Sequence, residues 1–94
     1  MTDRRTQIID AALRLADEHG FGNVNRRMLS VAVGCSEGLI SFYWTASALQ
    51  TVIMEAAVKE RCLRVIAQGL ICNHPVALAA PLDLRCAAAV AMIE

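Results

Sequence analysis

Along most of the chain, apolar residues return every three or four positions, and the runs end at glycine, proline or short polar residues. That is the period of helices with one buried face, so the chain reads as all-α. The first helix is expected from about Asp3 to His19. Ile8, Ile9, Ala12, Leu13, Leu15 and Ala16 form its apolar stripe, Thr2 or Asp3 caps it, and Gly20 stops it. A short second helix runs from Arg26 to about Val33 behind the cap residue Asn25. Gly34 supplies the left-handed residue that a tight inter-helix turn needs. Cys35 then points inward, and Ser36 caps a third helix, Glu37 to about Trp44, with Glu37 well placed for the helix dipole. Two short helices joined by a glycine-containing turn make the helix-turn-helix pattern.

Beyond Trp44, Ser47 is expected to cap one long helix from about Ala48 to Ile71. Its apolar side carries Leu49, Val52, Ile53, Ala56, Leu63, Ile66, Ala67 and Leu70. Asn73-His74-Pro75 breaks it, and Pro81 starts a last helix that is apolar on every face from Cys86 to Ile93. The resulting architecture is a three-helix helix-turn-helix region at 1–46, then a long helix and a C-terminal dimerisation helix at 47–94, in one compact domain.

Composition sharpens this at the surface. With 94 residues, 56% of them hydrophobic, and a mean hydropathy of +0.46, one domain cannot hide all its apolar surface. A helix that is apolar all round needs a cover, and a twofold homodimer is the simplest one. Nine basic side chains balance nine acidic ones, so nucleic-acid binding must rest on where the charges sit. The polar start, Met1 to Gln7, lacks the pattern of a signal peptide, which sets the expectation of a cytoplasmic protein. Of two uncharged stretches, Gly38–Met54 is too short to span a membrane, and Val65–Leu82 is interrupted by Gly69, Asn73, Pro75 and Pro81.

Metal, cofactor and enzyme chemistry find no footing. Cys35, Cys62, Cys72 and Cys86 form no CxxC pair and stand among apolar neighbours, which marks them as buried structural thiols. There is no glycine-rich phosphate loop and no nucleophile beside a credible base. His19 and His74 fall at helix ends or turns, and Phe21, Ile40 and Trp44 read as core.

The segment Gln7–Tyr43 resembles the N-terminal domain of the tetracycline-repressor (TetR) family of transcriptional regulators. The resemblance rests on IIDAALRLADEHGF, fourteen positions from Gly20 to Gly34, and GCSEGLISFYW, where the family usually reads like GVSKGTLYHYF. Gly34, Ser36, Gly38, Tyr43 and the aromatic Trp44 fall in register, and Ile40 fills the apolar slot. The chain departs at Glu37, Leu39, Ser41 and Phe42, where the family has lysine, threonine, tyrosine and histidine. Thr45-Ala46-Ser47 also lacks the lysine that commonly follows. Fifty residues follow Trp44, against a considerably larger ligand-binding domain in the family, so no small-molecule inducer and no drug-sized pocket is expected.

The resemblance implies a regulator that binds double-stranded DNA as a homodimer on a near-palindromic operator, most simply a repressor. Arg26 and Arg27 start the second helix, where they either grip phosphate or make an ordinary solvated helix start. Arg4 and Arg5 either reach phosphate and minor groove or only solubilise. The resemblance assigns Ser36 and Tyr43 to phosphate, alongside their plain roles as cap and half-buried ring. Asn25 belongs to the same helix start. Glu37, Gly38, Ser41 and Phe42 are the base-reading set: glutamate accepts from cytosine, an aromatic ring covers a thymine methyl, and glycine permits close approach. A different class of function stays open, in which the helix-turn-helix is a scaffold and the uncharged Gly38–Met54 surface binds a protein, as an adaptor or antirepressor.

Overall fold

The computed structural model describes residues 3–93, which form seven α-helices, one 3-10 turn and no strand. The capping choice at Thr2 lies outside the described residues. The helices are α1 (Arg4–His19), α2 (Arg26–Val33), α3 (Glu37–Tyr43), α4 (Ala46–Glu60), α5 (Leu63–Ile71), α6 (Pro75–Leu78) and α7 (Leu82–Ile93). No helix among these residues is long and apolar enough to cross a membrane.

Side-chain caps set four of the helix starts. Asp3 accepts from Thr6 N at 2.8 Å, Asn25 from Met28 N at 2.9 Å, Ser36 from Leu39 N at 3.1 Å and Thr45 from Ala48 N at 3.1 Å. Each such cap contributes about 1 kcal/mol. The bonds from Thr6 also hold the Asp3 carboxyl below the usual carboxylate range. Thr45 replaces the expected Ser47 cap, so α4 begins at Ala46, two residues earlier than expected.

The single long helix expected from Ala48 to Ile71 is not formed. It is broken at Arg61, which adopts the left-handed conformation (φ 57°) and lets Cys62 N reach back to Ala57 O at 2.8 Å. This closes the end of α4 in the manner of a Schellman cap, although no glycine is present. The break folds α5 back against α4, and α5 then packs most extensively on α7. Because α4 and α5 now face each other, residues on more than one side of the expected stripe are buried. Met54 and Val65 join Leu49, Ile53, Ile66 and Ala67 in the interior, while Val52, Ala56, Leu63 and Leu70 are only half-buried. Gly69 lies at the crossing: a Cβ there would sit 2.5 Å from Met54 Cε and 2.7 Å from Ala77 Cβ.

A single hydrophobic core joins the two halves. Ile8, Ala12 and Ala16 of α1, Leu29 of α2 and Ile40 of α3 share it with Ile53, Ile66 and Leu84 of the later helices. Polar contacts reinforce the junction. Gln68 accepts from Phe21 N, and Arg64 donates to Asp17 O at 3.2 Å. The His74 ring meets Phe21 edge-on, with centroids 5.6 Å apart, while its Nδ1 accepts from Val76 N and starts α6.

Two expectations about exposure need correction. Cys72 and Cys86 are exposed rather than buried, and Cys35 and Cys62 are half-buried. Cys86 faces out because the inward side of α7 is taken by Leu84 and Ala88, four residues apart. Leu82, Val90 and Met92 of α7 remain exposed, as do Ile71 and Leu78 nearby.

Candidate nucleic-acid interface

Helices α2 and α3 are joined by Gly34-Cys35-Ser36. Gly34 is left-handed (φ 80°, ψ 38°), and Ser30 O accepts from both Gly34 N at 2.9 Å and Cys35 N at 3.1 Å. That double bond to one carbonyl turns the chain sharply, after which Ser36 starts α3. Leu29 and Ile40, one from each helix, are fully buried and join the pair to the common core, where α2 packs on α1. Removing either side chain to alanine would cost about 2–5 kcal/mol.

Once Ile40 faces inward, helical geometry decides the rest of α3. Glu37 and Ser41 are four residues apart, Gly38 and Phe42 likewise, and these two neighbouring rows are exposed. The residues expected to read bases are therefore all on the solvent side of α3, with Phe42 82% exposed. Leu39 is half-buried at its edge. Nothing in the fold requires glycine at position 38, since a Cβ there would meet only Ser36 Oγ, at 3.9 Å.

At the C-terminal end of α3 the aromatics form a ladder. Phe42 and Tyr43 meet edge-on at 5.8 Å, and Tyr43 and Trp44 are tilted at 5.4 Å. Trp44 is core and Tyr43 half-buried. Across from them, on the first turn of α1, the Arg5 guanidinium lies 5.9 Å from the Tyr43 ring centre and 5.6 Å from that of Trp44. A cation over two rings is held at about 0.5–1 kcal/mol per exposed contact. Arg5 is thus placed beside the C-terminal end of α3 instead of ranging freely from the N-terminus. Arg4 is exposed on α1 and is not brought to this cluster.

At the other end of α3, Arg26 and Arg27 line a cleft of about 380 Å³ together with Asn25 and Glu37. Asn25 is spent on its cap, with its oxygen on Met28 N. Arg27 is exposed, while Arg26 is half-buried with an Nε that meets no acceptor. Among the described residues the ion pairs are Glu18–His19, Arg61–Asp83 and Arg64–Asp17; Arg4, Arg5, Arg26 and Arg27 belong to none of these, although Arg5 lies close enough to Asp3 to act on its carboxyl. Arginines therefore flank α3 at both ends, with one carboxylate, Glu37, between them.

Reasoning from sequence missed two features here. The Arg5–Tyr43–Trp44 stack joins residues almost forty positions apart and leaves no local signal. The cleft beside Arg26 is completed by Gln50 and Leu49 from α4, whose facing cannot be read before α4 is docked. No drug-sized preformed pocket was expected, and the clefts present are open to solvent. Besides the 380 Å³ cleft, one of about 630 Å³ lies between Phe21, Gln68 and His74. No family model, curated protein or solved structure matches the chain.

Proposed function

We propose that this chain is a sequence-specific DNA-binding regulator of transcription, a relative of the tetracycline-repressor type, acting as a homodimer. In this reading α2 and α3 are the helix-turn-helix. Helix α3 enters the major groove, and two copies meet successive grooves about one turn apart on a near-palindromic operator. Occupying that site excludes the transcription machinery, which makes the protein a repressor and not an enzyme.

The observation that carries the reading is the geometry of α3. Its exposed side presents Glu37, Gly38, Ser41 and Phe42, and arginines stand at both of its ends. Phosphates flank the bases in a groove, so cations flanking a base-reading helix are what the contact requires. A net charge of zero is no obstacle when the positive side chains gather locally. The exposed Leu82, Val90 and Met92 of α7 supply an apolar surface for a second copy.

Selection of bound sequences from random duplexes tests the proposal, followed by salt titration of variants. Arg27→Ala should weaken binding to every sequence and reduce the salt slope by about one unit. Glu37→Ala and Phe42→Ala should instead change which sequence is preferred, by about 1–3 kcal/mol per lost contact. Intact binding in all three variants would refute α3 as the reader.

One observation favours a second reading. Phe42 at 82% exposure and Val31 at 79% are large apolar side chains left in solvent on α3 and α2. Such exposure also suits a protein-binding adaptor or antirepressor that keeps these helices as a scaffold. An empty duplex selection would favour this reading.

A further inference from the structure

The corner between α4 and α5 carries backbone strain that its own sequence does not call for. Arg61 sits in the left-handed region (φ 57°, ψ 41°), where a residue with a Cβ loses about tenfold in the folding equilibrium. Cys62, at the start of α5, supplies no side-chain cap. The apolar period runs through both residues, from Leu49 and Ile53 on to Leu63 and Ile66, with neither glycine nor proline at the corner. By local preference alone, residues 46–71 would form one straight helix of about 39 Å. What bends the chain is the docking of α5 on α4 and α7. Docking fixes which surfaces meet, but not which copy of the chain supplies them.

We propose that two copies of the chain can exchange residues 63–93. The corner at Arg61 and Cys62 straightens, α4 and α5 become one helix, and the α5–α7 unit of each copy packs on α1 and α4 of the other. α5 and α7 pack most extensively on each other, so they travel as a unit. The receiving surface is the same one that closes the single chain. Gly69 against Met54, Gln68 on Phe21 N and Arg64 on Asp17 O are all remade between copies. Buried surface is therefore equal in the two forms, and the corner tips the balance. Exchange relieves one left-handed residue per chain and costs the freedom of two separate molecules. Strained short hinges are where such exchange arises.

The exchange does not depend on the DNA reading, and it leaves α2 and α3 as they are. It also differs from association through Leu82, Val90 and Met92, which stay on the outside of α7 in both forms. Releasing α5–α7 opens the core, so the outcome is set by chain concentration during refolding.

The test uses the full chain carrying Val90→Asp, which removes association through α7. It is unfolded in urea, refolded at about millimolar or about micromolar concentration, and sized by light scattering after dilution to the same low concentration. The concentrated sample should contain a dimer that persists on dilution, and the dilute sample a monomer of equal helix content. In dimers refolded from isotope-labelled and unlabelled chains together, a filtered NOE should join the Met54 methyl to Gly69 Hα across copies. Arg61→Gly fits the left-handed corner and weakens the straight helix, so it should lower the dimer yield at least about tenfold. Arg61→Val, poorest in the left-handed region, should raise it. Asp83→Asn breaks the Arg61–Asp83 ion pair without touching the backbone of the corner, and should leave the yield unchanged. The proposal is overturned if concentrated refolding gives only monomer, or if the dimer lacks the cross-copy NOE. It is equally overturned if Arg61→Gly dimerises as well as its parent, or if Asp83→Asn has the same effect as Arg61→Gly. None of these outcomes bears on duplex selection, so the DNA reading stands or falls separately.

Discussion

Gly34 and Gly38 stand four residues apart in the same turn-and-helix unit, and replacing each with alanine should move stability in opposite directions. Space is not the difference. A Cβ at Gly34 meets nothing within 4 Å, and one at Gly38 meets only Ser36 Oγ at 3.9 Å. Backbone conformation is the difference, because Gly34 has φ 80° and Gly38 lies in the first turn of α3. Alanine reduces the freedom of the unfolded chain equally at both sites, which favours folding by about 0.4–1 kcal/mol. At Gly38 that gain stands alone. At Gly34 it is opposed by about 1–2 kcal/mol for an L-residue in the left-handed region. The common term cancels between the two variants, so their difference should equal the left-handed penalty, about 1–2 kcal/mol. In a domain of this size that separates the melting temperatures by about 4–16 °C, Gly38→Ala being the higher. Thermal unfolding followed by circular dichroism, supported by urea midpoints, measures it. Equal shifts in the two variants would refute the assigned turn geometry.

Three further outcomes follow from packing and exposure. Gly69→Ala should destabilise by about 1–3 kcal/mol in urea unfolding, because its Cβ collides with Met54 and Ala77 where α5 crosses its neighbours; a neutral effect would mean that this contact is looser than described. The four thiols should be alkylated in an order set by exposure, Cys72 and Cys86 first and Cys62 last, since burial and the nearby Asp17 carboxylate raise the Cys62 thiol above its ordinary value. A mass-spectrometric time course in which Cys62 labels as early as Cys72 would contradict this. Sedimentation at micromolar concentration should show a dimer that Val90→Asp converts to monomer without loss of helix, Val90 being exposed on α7; a monomeric parent chain would end the α7 interface.

Legibility from sequence followed the range of the interactions involved. The starts of α1, α2 and α3 were readable because Asp3, Asn25 and Ser36 bond to amides three residues ahead, and the end of α2 was readable because Gly34 carries the left-handed turn itself. Phe21, Ile40 and Trp44 were identified as core from their place in the apolar pattern, and they are buried. The corner at Arg61 was not readable. Arginine is a good helix former, neither glycine nor proline marks the place, and the apolar period runs on into Leu63 and Ile66. What stops the helix there is the docking of α5 on α4 and α7, a tertiary effect that overrides local propensity. The same cause hid Met54, Val65 and the exposure of Cys86. At the candidate interface, the face of α3 could be laid out from Ile40 alone by helical spacing. The placing of Arg5 over Tyr43 and Trp44 and the walls of the Arg26 cleft depend on contacts between distant segments.

The core that runs unbroken from Ile8 through Ile40 to Leu84 makes the chain one cooperative unit. Its first 46 residues, cut away, would expose the faces that α4 and α5 cover, so α2 and α3 have no independent melting of their own. Anything that prefers the folded chain at one end therefore protects the other by mass action: a ligand at one hundred times its Kd adds about 2.7 kcal/mol to the whole. A second copy on α7 or a duplex along α3 would slow amide exchange in the same buried helices, whichever of them binds.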